Sequence, residues 1–335
     1  MDIGKRGMDF KQLAYFERVA ELGSFTKASQ ALGVAQPALS RQVRALEVEL
    51  RQTLLTRNGR GAALTEAGEL LLEHVHGILY QVERAKQAVT GARGILSGRV
   101  VLGMPPSVAR SVAIPLLRAF KTELPHAQLR VTEGLSKGMH TQLVDGVIDV
   151  ALLYNAMPAQ ALGIDVELLC HEALVLVQSK QGNAAAARVD LRDVANTPLL
   201  IPSRPNALRM QLEAALMRLG LTPTIALEID GVSAILDLVA DGAGAAVLAR
   251  HAVTSSDKAS AYTVSDIYVA SRNVQSTASA TVSQPAKRGE TLSVAVHLAT
   301  SHNRPVTPTQ QAAVALLRRV VREVLGSNQW QLATQ

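Results

Sequence analysis

The chain has 335 residues, more than one hydrophobic core usually organises, so its length predicts two or three globular units. Hydrophobic residues make up 48% and charged residues 19%, which excludes a disordered, collagen-like or low-complexity chain. The formal net charge of +6 favours an anionic partner without identifying one, and the one cysteine, Cys170, excludes an intramolecular disulfide and favours a reducing compartment.

Aromatic residues are only 3% of the chain. This composition disfavours stacking platforms for single-stranded nucleic acid or sugars but leaves duplex DNA open. The N-terminal residues are charged and polar with no apolar stretch behind them, and no run of apolar residues is long enough to cross a membrane. The sequence therefore predicts a cytoplasmic protein without a membrane partner.

From residue 9 to residue 98 the apolar residues follow helical spacing. The pattern predicts a first helix over 10–21 that stops at Gly23, a short second helix over 26–32 that ends at Gly33, and a longer third helix to about Leu50. Pro37 is tolerated because it falls in the first turn of the third helix. Two helices joined by a glycine turn at this spacing are typical of a DNA-binding helix-turn-helix.

The third helix is predicted to have a buried stripe and an outer face. The stripe recurs every three or four residues and consists of Leu39, Val43, Leu46 and Leu50. Pro37, Arg41 and Arg44 point the opposite way. Such a face suits the major groove of DNA, where a guanidinium can donate two hydrogen bonds to guanine. The alternative is a helical pair whose arginines are merely solvated.

Positive charge is concentrated in the same region. Residues 1–60 contain ten Lys or Arg against six Asp or Glu, so +4 of the net +6 lies there. A basic, glycine-broken turn over 57–61 separates two short apolar pairs and predicts a hairpin. This hairpin, a wing, could place Arg60 near a phosphate or in a minor groove.

The stretch 23–68 combines Ala28, Leu32, Gln36-Pro37, Ser40, Leu46-Glu47, Leu50, Arg57, Leu64-Thr65 and Gly68. This combination resembles the winged helix-turn-helix of the LysR-type transcriptional regulators. With the helix faces, the resemblance implies that residues 1–64 form a DNA-binding domain whose contacts come from Thr26, Lys27, Gln36, Pro37, Ser40, Arg41, Arg44, Arg57 and Arg60.

Three positions depart from the family pattern. Ala35 stands where the family usually has serine, so a helix-capping hydroxyl is missing. Arg51 stands where glycine is usual, and either needs a left-handed backbone conformation or adds a backbone contact. Leu55 stands where phenylalanine is usual.

Thr65 is predicted to cap a long helix in the segment 65–97. Its apolar residues follow a heptad seam of Leu71, Val75, Ile78, Val82, Ala85 and Val89. The seam predicts a two-helix coiled coil between two copies, and the alternative is a helix packed on its own domain. The resemblance implies a homodimer that reads a two-fold DNA site, with dimers that often pair into tetramers.

From residue 98 to residue 325 short apolar runs alternate with amphipathic stretches, which predicts an α/β unit with a mostly parallel sheet. The tract 254–284, rich in Ser, Thr and Ala, is interpreted as a mobile insertion within 254–290, and 326–335 as a tail. Three loops follow predicted strands and precede helices, a position that can hold small anions; they carry Ser107, Ser136 and Ser203. The alternative is that these serines are ordinary helix caps.

The resemblance extends into this region, where 131–134, 143–149 and 230–245 are similar to the family's effector domain. The implied fold class is α/β with an N-terminal all-α winged helix-turn-helix and a two-lobed effector domain like the periplasmic binding proteins. The resemblance implies a small, often anionic, effector between the lobes. Its contacts would come from Pro106, Ser107, Ser136, Ser203 and Arg204.

Other chemistries find little support in the sequence. Gly242 and Gly244 lack the third glycine of a dinucleotide motif, and His74 and His76 lie on different helix faces without further metal-ligand spacing. Cys170 beside His171 has no second cysteine, so a buried, inert thiol is expected. We therefore predict an effector-controlled transcription regulator that is not an enzyme and has no cofactor or metal. The alternatives are an effector-independent DNA-binding protein and an enzyme fused to a DNA-binding domain.

Overall fold

The computed structural model describes residues 7–58, 61–90, 96–156, 163–180, 186–269, 290–301 and 306–326. The chain divides into two compact units, one of Met1–Gly98 with Val144–Ile148 and one of Arg99–Leu143 with Asp149–Gln335. Among the helices of the described ranges, none is both long and apolar enough to cross a membrane.

The first unit begins with three helices, α1 (Phe10–Leu22), α2 (Phe25–Leu32) and α3 (Gln36–Leu50). Asp9 starts α1 with a capping box, and Ser24 caps α2 by accepting a hydrogen bond from a backbone N–H. Gly23 and Gly33 end these helices with φ of 60° and 65°, in the left-handed region where a side chain is disfavoured. The predicted helix, glycine turn and helix are therefore confirmed.

Two short strands and a long helix complete this unit: β1 (Leu55–Asn58), β2 (Gly61–Leu64) and α4 (Glu66–Thr90). The strands pair as an antiparallel hairpin, which confirms the predicted wing. The Thr65 hydroxyl accepts a hydrogen bond from the Gly68 N–H at 3.0 Å and caps α4 as predicted. The core of the unit includes Phe16, Val19 and Leu39, all fully buried.

The heptad seam predicted on α4 needs a correction. Val75 is fully buried in the core of its own unit, and Leu71 and Ile78 pack partly against the same core. Val75 is therefore not available to a second copy, because burial within one domain leaves no surface for another. Ala85 is exposed, whereas the side chain of Val89 lies outside the described residues.

The second unit is a two-lobed α/β structure. Its strands are β3 (Gly98–Met104), β4 (Ala127–Glu133), β5 (Val150–Tyr154), β6 (Ile164–Ser179), β7 (Arg188–Asp190), β8 (Leu199–Ile201), β9 (Ile225–Glu228), β10 (Ala246–Ala249), β11 (Tyr262–Val269), β12 (Glu290–Thr291) and β13 (Ser293–Ser301). Its helices are α5 (Pro106–Glu123), α6 (Ser136–Asp145), α7 (Leu191–Ala195), α8 (Ala207–Met217), α9 (Val232–Ala240), α10 (Arg250–Thr254) and α11 (Pro308–Leu325).

The long strand β6 runs through both lobes. Its residues 164–173 pair with β13, and lobe 1 is the sheet β4-β3-β5-β13-β6. Its residues 174–179 lie between β10 and β11 in lobe 2, where β8 and β9 form a parallel pair nearby. Lobe 2 has its own core, which includes Val175, Leu236 and Val239. The two lobes are therefore joined through continuous sheet.

The prediction of an irregular insertion over 254–290 is wrong for part of that tract. Residues 262–269 form β11, which pairs antiparallel with β6 and parallel with β7, and Ile267 is fully buried. A content of Ser and Thr does not prevent a segment from forming a strand. Pairing satisfies the backbone hydrogen bonds of β11, and alternate side chains along the strand can still pack in the core. Residues 270–289 and the tail residues 327–335 lie outside the described residues.

Candidate functional site

Helix α3 presents the two faces that its sequence predicts. Leu39, Val43 and Leu46 are buried, and Leu50 is half-buried. Arg41 is exposed on the opposite face. The amphipathic prediction is therefore confirmed, and the exposed face offers a positive charge to a partner.

The other predicted DNA-contact residues surround this face. Thr26, Lys27, Pro37 and Arg44 are exposed and Gln36 and Ser40 are half-buried. Arg57 belongs to β1, although the structure describes nothing of its side chain, and Arg60 lies outside the described residues. The positions of the described residues agree with a DNA-facing surface, and their roles stay predictions.

Glu47 connects α3 to the wing. This connection was not predicted from the sequence. Its Oε1 accepts hydrogen bonds from the backbone N–H of Leu54 at 2.9 Å and of Leu55 at 3.3 Å. Its Oε2 lies 3.2 Å from Nη1 of Arg44. The carboxylate therefore satisfies two amides at the entrance of the hairpin, and the Leu46-Glu47 pair of the family motif was the available signal.

The three departures from the family pattern have different consequences. Ala35 precedes α3 without any side-chain cap, as expected, and Pro37 occupies the first turn. Arg51 ends α3 with φ of 53°, so the left-handed conformation considered from the sequence is confirmed. Leu55 is 7% exposed and contributes to the core in place of a larger ring.

Two glycines allow the wing to pack closely on the helices. A Cβ atom on Gly61 would lie 2.3 Å from the Gly23 carbonyl oxygen, and a Cβ on Gly68 would lie 2.1 Å from the Leu54 carbonyl oxygen. Both distances are far below van der Waals contact, so side chains are excluded at these positions. The Ala62 N–H also donates to the Gly23 carbonyl at 2.8 Å.

In the second unit a cavity of 310 Å³ opens between the lobes. All five predicted effector residues line it: Pro106, Ser107, Ser136, Ser203 and Arg204. Apolar side chains such as Ile235 and Leu248 cover much of the remaining wall. The convergence of three distant loops, which the sequence could not show, is thus a property of the fold.

A buried polar chain starts at this cavity, where Ser107 and Tyr154 belong to its lining, and continues behind it. Ser107 Oγ lies 2.9 Å from Tyr154 Oη, and the Tyr154 hydroxyl donates to Glu172 Oε2 at 3.2 Å. Glu172 Oε1 accepts from the backbone N–H of His251 at 3.2 Å. Burial, together with the negative charge of Glu172, raises the pKa of Tyr154 well above its usual value, so its hydroxyl stays protonated.

The other two cavity serines, Ser136 and Ser203, also make structural hydrogen bonds, Ser136 through its hydroxyl and Ser203 through its backbone. Ser136 Oγ accepts a hydrogen bond from the Tyr154 N–H at 3.1 Å. The backbone N–H of Ser203 donates to Asp230 Oδ1 at 2.9 Å, and Asp230 itself lines the cavity. In α8 the cap is Asn206, which accepts from two backbone N–H groups. The alternative that Ser203 is an ordinary helix cap is therefore wrong, because Asn206 caps this helix.

Arg204 lines the cavity, but its guanidinium is paired elsewhere. Its Nη2 lies 2.9 Å from Glu213 Oε2, and Arg209 approaches the same carboxylate at 2.8 Å. Burial acts to raise the pKa of Glu213, but hydrogen bonds from Arg209 and Arg204 outweigh it and lower that pKa. Arg204 is therefore a committed partner of Glu213 rather than an isolated cation.

Side chains from lobe 1 also bond directly to lobe 2. Arg110 of α5 donates from Nη1 to Ser233 Oγ at 2.8 Å and from Nη2 to Ser256 Oγ at 3.3 Å. Asn155, at the end of β5, donates to Gln211 Oε1 of α8 at 3.1 Å. These contacts hold the cavity walls at their present separation.

Two further groups bear on catalysis and metal binding. Burial, with the charge of Glu172, raises the pKa of Cys170 to about 12, so the thiol is protonated and a poor nucleophile. This agrees with the expected inert thiol, although Cys170 is half-buried and not fully buried as predicted. Glu17, Glu21 and His76 place ligand atoms within 4.8 Å of one another, a proximity missed in the sequence because it joins two helices. Glu21 is already 2.9 Å from Arg18, so the cluster alone does not indicate a metal site.

Comparisons with known proteins decide the family. A family model described as the LysR substrate binding domain matches residues 93–273, more than half of the chain. The chain belongs to the LysR family. A second model, described as a bacterial regulatory helix-turn-helix protein of the lysR family, matches residues 10–69. This LysR-type protein is therefore a transcription regulator with a helix-turn-helix DNA-binding domain and a substrate-binding domain.

Relatives of this LysR-type chain agree with that assignment. The nitrogen assimilation regulatory protein nac of Escherichia coli (strain K12) is 31% identical over 98% of this chain and 100% of its own length. The protein of the same name from Klebsiella aerogenes is 36% identical over 74% of this chain and 80% of its own length. Both relatives are regulators, in agreement with the prediction that the chain is not an enzyme.

Solved structures support the predicted fold of this LysR-type regulator. CbnR, a LysR family transcriptional regulator, aligns with a TM-score of 0.66 at 24% identity over 93% of this chain and 99% of its own. A full-length OxyR variant from Pseudomonas aeruginosa aligns with a TM-score of 0.65 at 20% identity over 95% of this chain and 96% of its own. These likenesses confirm the fold class.

Proposed function

We propose that α3 reads an operator in the major groove while the wing contacts the adjacent backbone or minor groove. The observation that carries this proposal is the exposed Arg41 face of α3, opposite the buried stripe that fixes the helix in its unit. A full-length structure of CbnR complexed with its target DNA, 24% identical to this chain with a TM-score of 0.67, supports the proposal. Such a regulator acts in the cytoplasm, where it meets DNA.

The experiment compares Arg41→Ala with a matched loss of charge elsewhere in the unit. Arg41→Ala is expected to weaken operator binding by roughly 1–3 kcal/mol and to reduce the preference for operator over random duplex. Arg18→Ala removes the same charge from α1, where Arg18 pairs with Glu21, and is expected to leave that preference unchanged. Equal losses on operator and random duplex for Arg41→Ala would contradict a base-reading role.

The second part of the proposal places a small-molecule effector in the 310 Å³ cavity between the lobes. Its volume lies within the usual range for small-molecule sites, and its wall combines apolar side chains with a few convergent polar groups. Because the cavity is bounded by both lobes, a ligand there would bias their separation and so couple binding to transcription.

A bulky substitution tests the location of the effector. Ser203→Trp would fill the cavity while keeping the backbone bond from Ser203 to Asp230. It is expected to abolish effector-dependent transcription from a reporter while operator affinity stays within about twofold, because the DNA-binding unit has its own core. Normal induction in this variant would move the effector to another place.

The third part of the proposal is a homodimer through α4, with dimers that pair into tetramers. Among the described side chains of this helix, Leu70 and Ala85 are apolar and exposed, and they replace Val75 as positions available to a second copy. Leu70→Asp is expected to shift sedimentation towards the monomer because it introduces a charge into an apolar contact. Val48→Asp changes an equally exposed residue of α3 and is the matched control; identical sedimentation of both variants would refute the assignment.

A further inference from the structure

Hydrogen-bond direction along the buried chain behind the cavity restricts what Ser107 can offer a ligand. Glu172 is 1% exposed, and as a carboxylate it can only accept hydrogen bonds. The Tyr154 hydroxyl carries a single hydrogen and donates it to Glu172. The Tyr154 oxygen must therefore accept in the 2.9 Å contact with Ser107, so the Ser107 hydroxyl is the donor there.

Since the one hydrogen of Ser107 points at Tyr154, its oxygen presents lone pairs to the cavity. Asp230, from the lobe 2 side, adds a carboxylate to the lining of the same cavity, and it is a second acceptor. Arg204 also lines the cavity, and its guanidinium is held by Glu213. This arrangement opposes the binding of a small anion, which the positions of the three serine loops in the sequence predict.

The Ser136 hydroxyl offers a ligand the opposite hydrogen-bonding role, that of a donor. Its oxygen accepts the Tyr154 N–H, so its own hydroxyl hydrogen can be donated to a bound group. The cavity therefore combines acceptors at Ser107 and Asp230 with a donor at Ser136. A ligand that carries both a protonated amine and an acceptor group would satisfy both polarities, whereas a simple carboxylate would leave Ser107 facing another acceptor.

We propose that the effector is a small molecule with a primary ammonium group, such as an α-amino acid, which donates to Ser107 and Asp230. The inference rests on the proposed function of the cavity and names the chemical class of its ligand. It differs from the anionic effector that the family resemblance implies, because the polarity of Ser107 is set by Glu172, a residue distant from it in the sequence.

The test uses the full-length protein and matched pairs of probes. Each α-amino acid is compared with its 2-oxo acid, which has nearly the same size and carboxylate but replaces the N–H donors by a carbonyl acceptor. At least one amino acid is expected to raise the melting temperature, with the dissociation constant of its 2-oxo acid at least tenfold higher. Equal or tighter binding of the 2-oxo acids, or of simple dicarboxylates, overturns the ammonium assignment while the proposed cavity function stands.

A pair of variants probes the hydrogen-bond direction itself. Tyr154→Phe removes the acceptor for Ser107 and frees its hydrogen, so the preference for amino acid over 2-oxo acid should fall at least tenfold. Tyr268→Phe, in β11 and outside the residues that line the cavity, is the matched control and should leave that preference unchanged. An unchanged preference in Tyr154→Phe overturns the inference.

Ser107→Ala keeps the test decisive if the phenylalanine variant does not fold. It removes the hydroxyl from the cavity and should weaken amino-acid binding at least tenfold without improving 2-oxo acid binding. Parental affinity in Ser107→Ala overturns the inference. If neither amines, carboxylates nor neutral polyols stabilise the parent protein, the proposed effector function fails, which is a different outcome from a change of ligand class.

Discussion

The link between α3 and the wing can be tested by removing the Glu47 carboxylate. In Glu47→Ala the amides of Leu54 and Leu55 lose their shared acceptor, and both residues are buried, at 1% and 7% exposure. The Glu47 side chain is itself only 10% exposed, so the two amides are shielded from bulk water. The variant therefore leaves two buried donors unsatisfied at the base of the hairpin.

The magnitude follows from the geometry of the two bonds. A buried unsatisfied donor costs about 1–3 kcal/mol, and because the 3.3 Å bond to Leu55 is weak, the sum for Glu47→Ala is about 3 kcal/mol. Glu47→Gln should cost less than about 1 kcal/mol, because both amides donate to one oxygen that glutamine retains. The lost ion pair with Arg44 contributes little since that guanidinium is 69% exposed.

Hydrogen–deuterium exchange of the full-length protein measures this local stability. A loss of about 3 kcal/mol corresponds to exchange on the order of a hundredfold faster at the amides of Leu54 and Leu55. Peptides from the effector domain report on global damage and should exchange at the parental rate. If Glu47→Ala and Glu47→Gln exchange equally, the carboxylate oxygen does not hold the hairpin and the reasoning is wrong.

Three other outcomes follow from the structure. Gly68→Ala places a Cβ about 1 Å inside van der Waals contact with the Leu54 carbonyl and should destabilise the first unit by about 1–3 kcal/mol, seen as a lower melting temperature and weaker operator binding. Burial and nearby His171 lower the pKa of His297 below 6.5, so the unfolded chain takes up a proton first and the unfolding free energy should fall as the pH drops below 6.5; His297→Gln should reduce that fall. With a pKa of about 12 instead of 9.0, Cys170 should react with iodoacetamide at pH 8 roughly a thousandfold more slowly in the folded than in the unfolded protein, and equal rates would contradict the raised pKa of this thiol.

Local pattern determined much of the fold of this protein. Spacing of apolar residues was enough to predict α1, α2 and the buried stripe of α3, because the helical repeat alone decides which residues share a face. The ends of α1 and α2 could also be predicted locally, since Gly23 and Gly33 take the left-handed conformations that end helices. The motif over 23–68 then identified the family from residues that are close in sequence.

Tertiary structure alone decided what each face meets. The spacing of Val75 fits a coiled-coil seam and a domain core equally well, and the packing of α4 on its own unit selected the core. The ion-pair partner of Arg204 is another case. Arg204 lies in the loop before α8, and the carboxylate that binds its guanidinium belongs to Glu213, nine residues further along in α8.

The polar chain behind the cavity shows the same limit most clearly. Ser107, Tyr154, Glu172 and His251 come from four segments, and none of them forms a motif with its sequence neighbours. Periodicity gives the direction of a side chain from its own element, but hydrogen-bond polarity depends on which groups the fold brings within about 3 Å. The chemistry offered to a ligand is therefore decided by long-range packing.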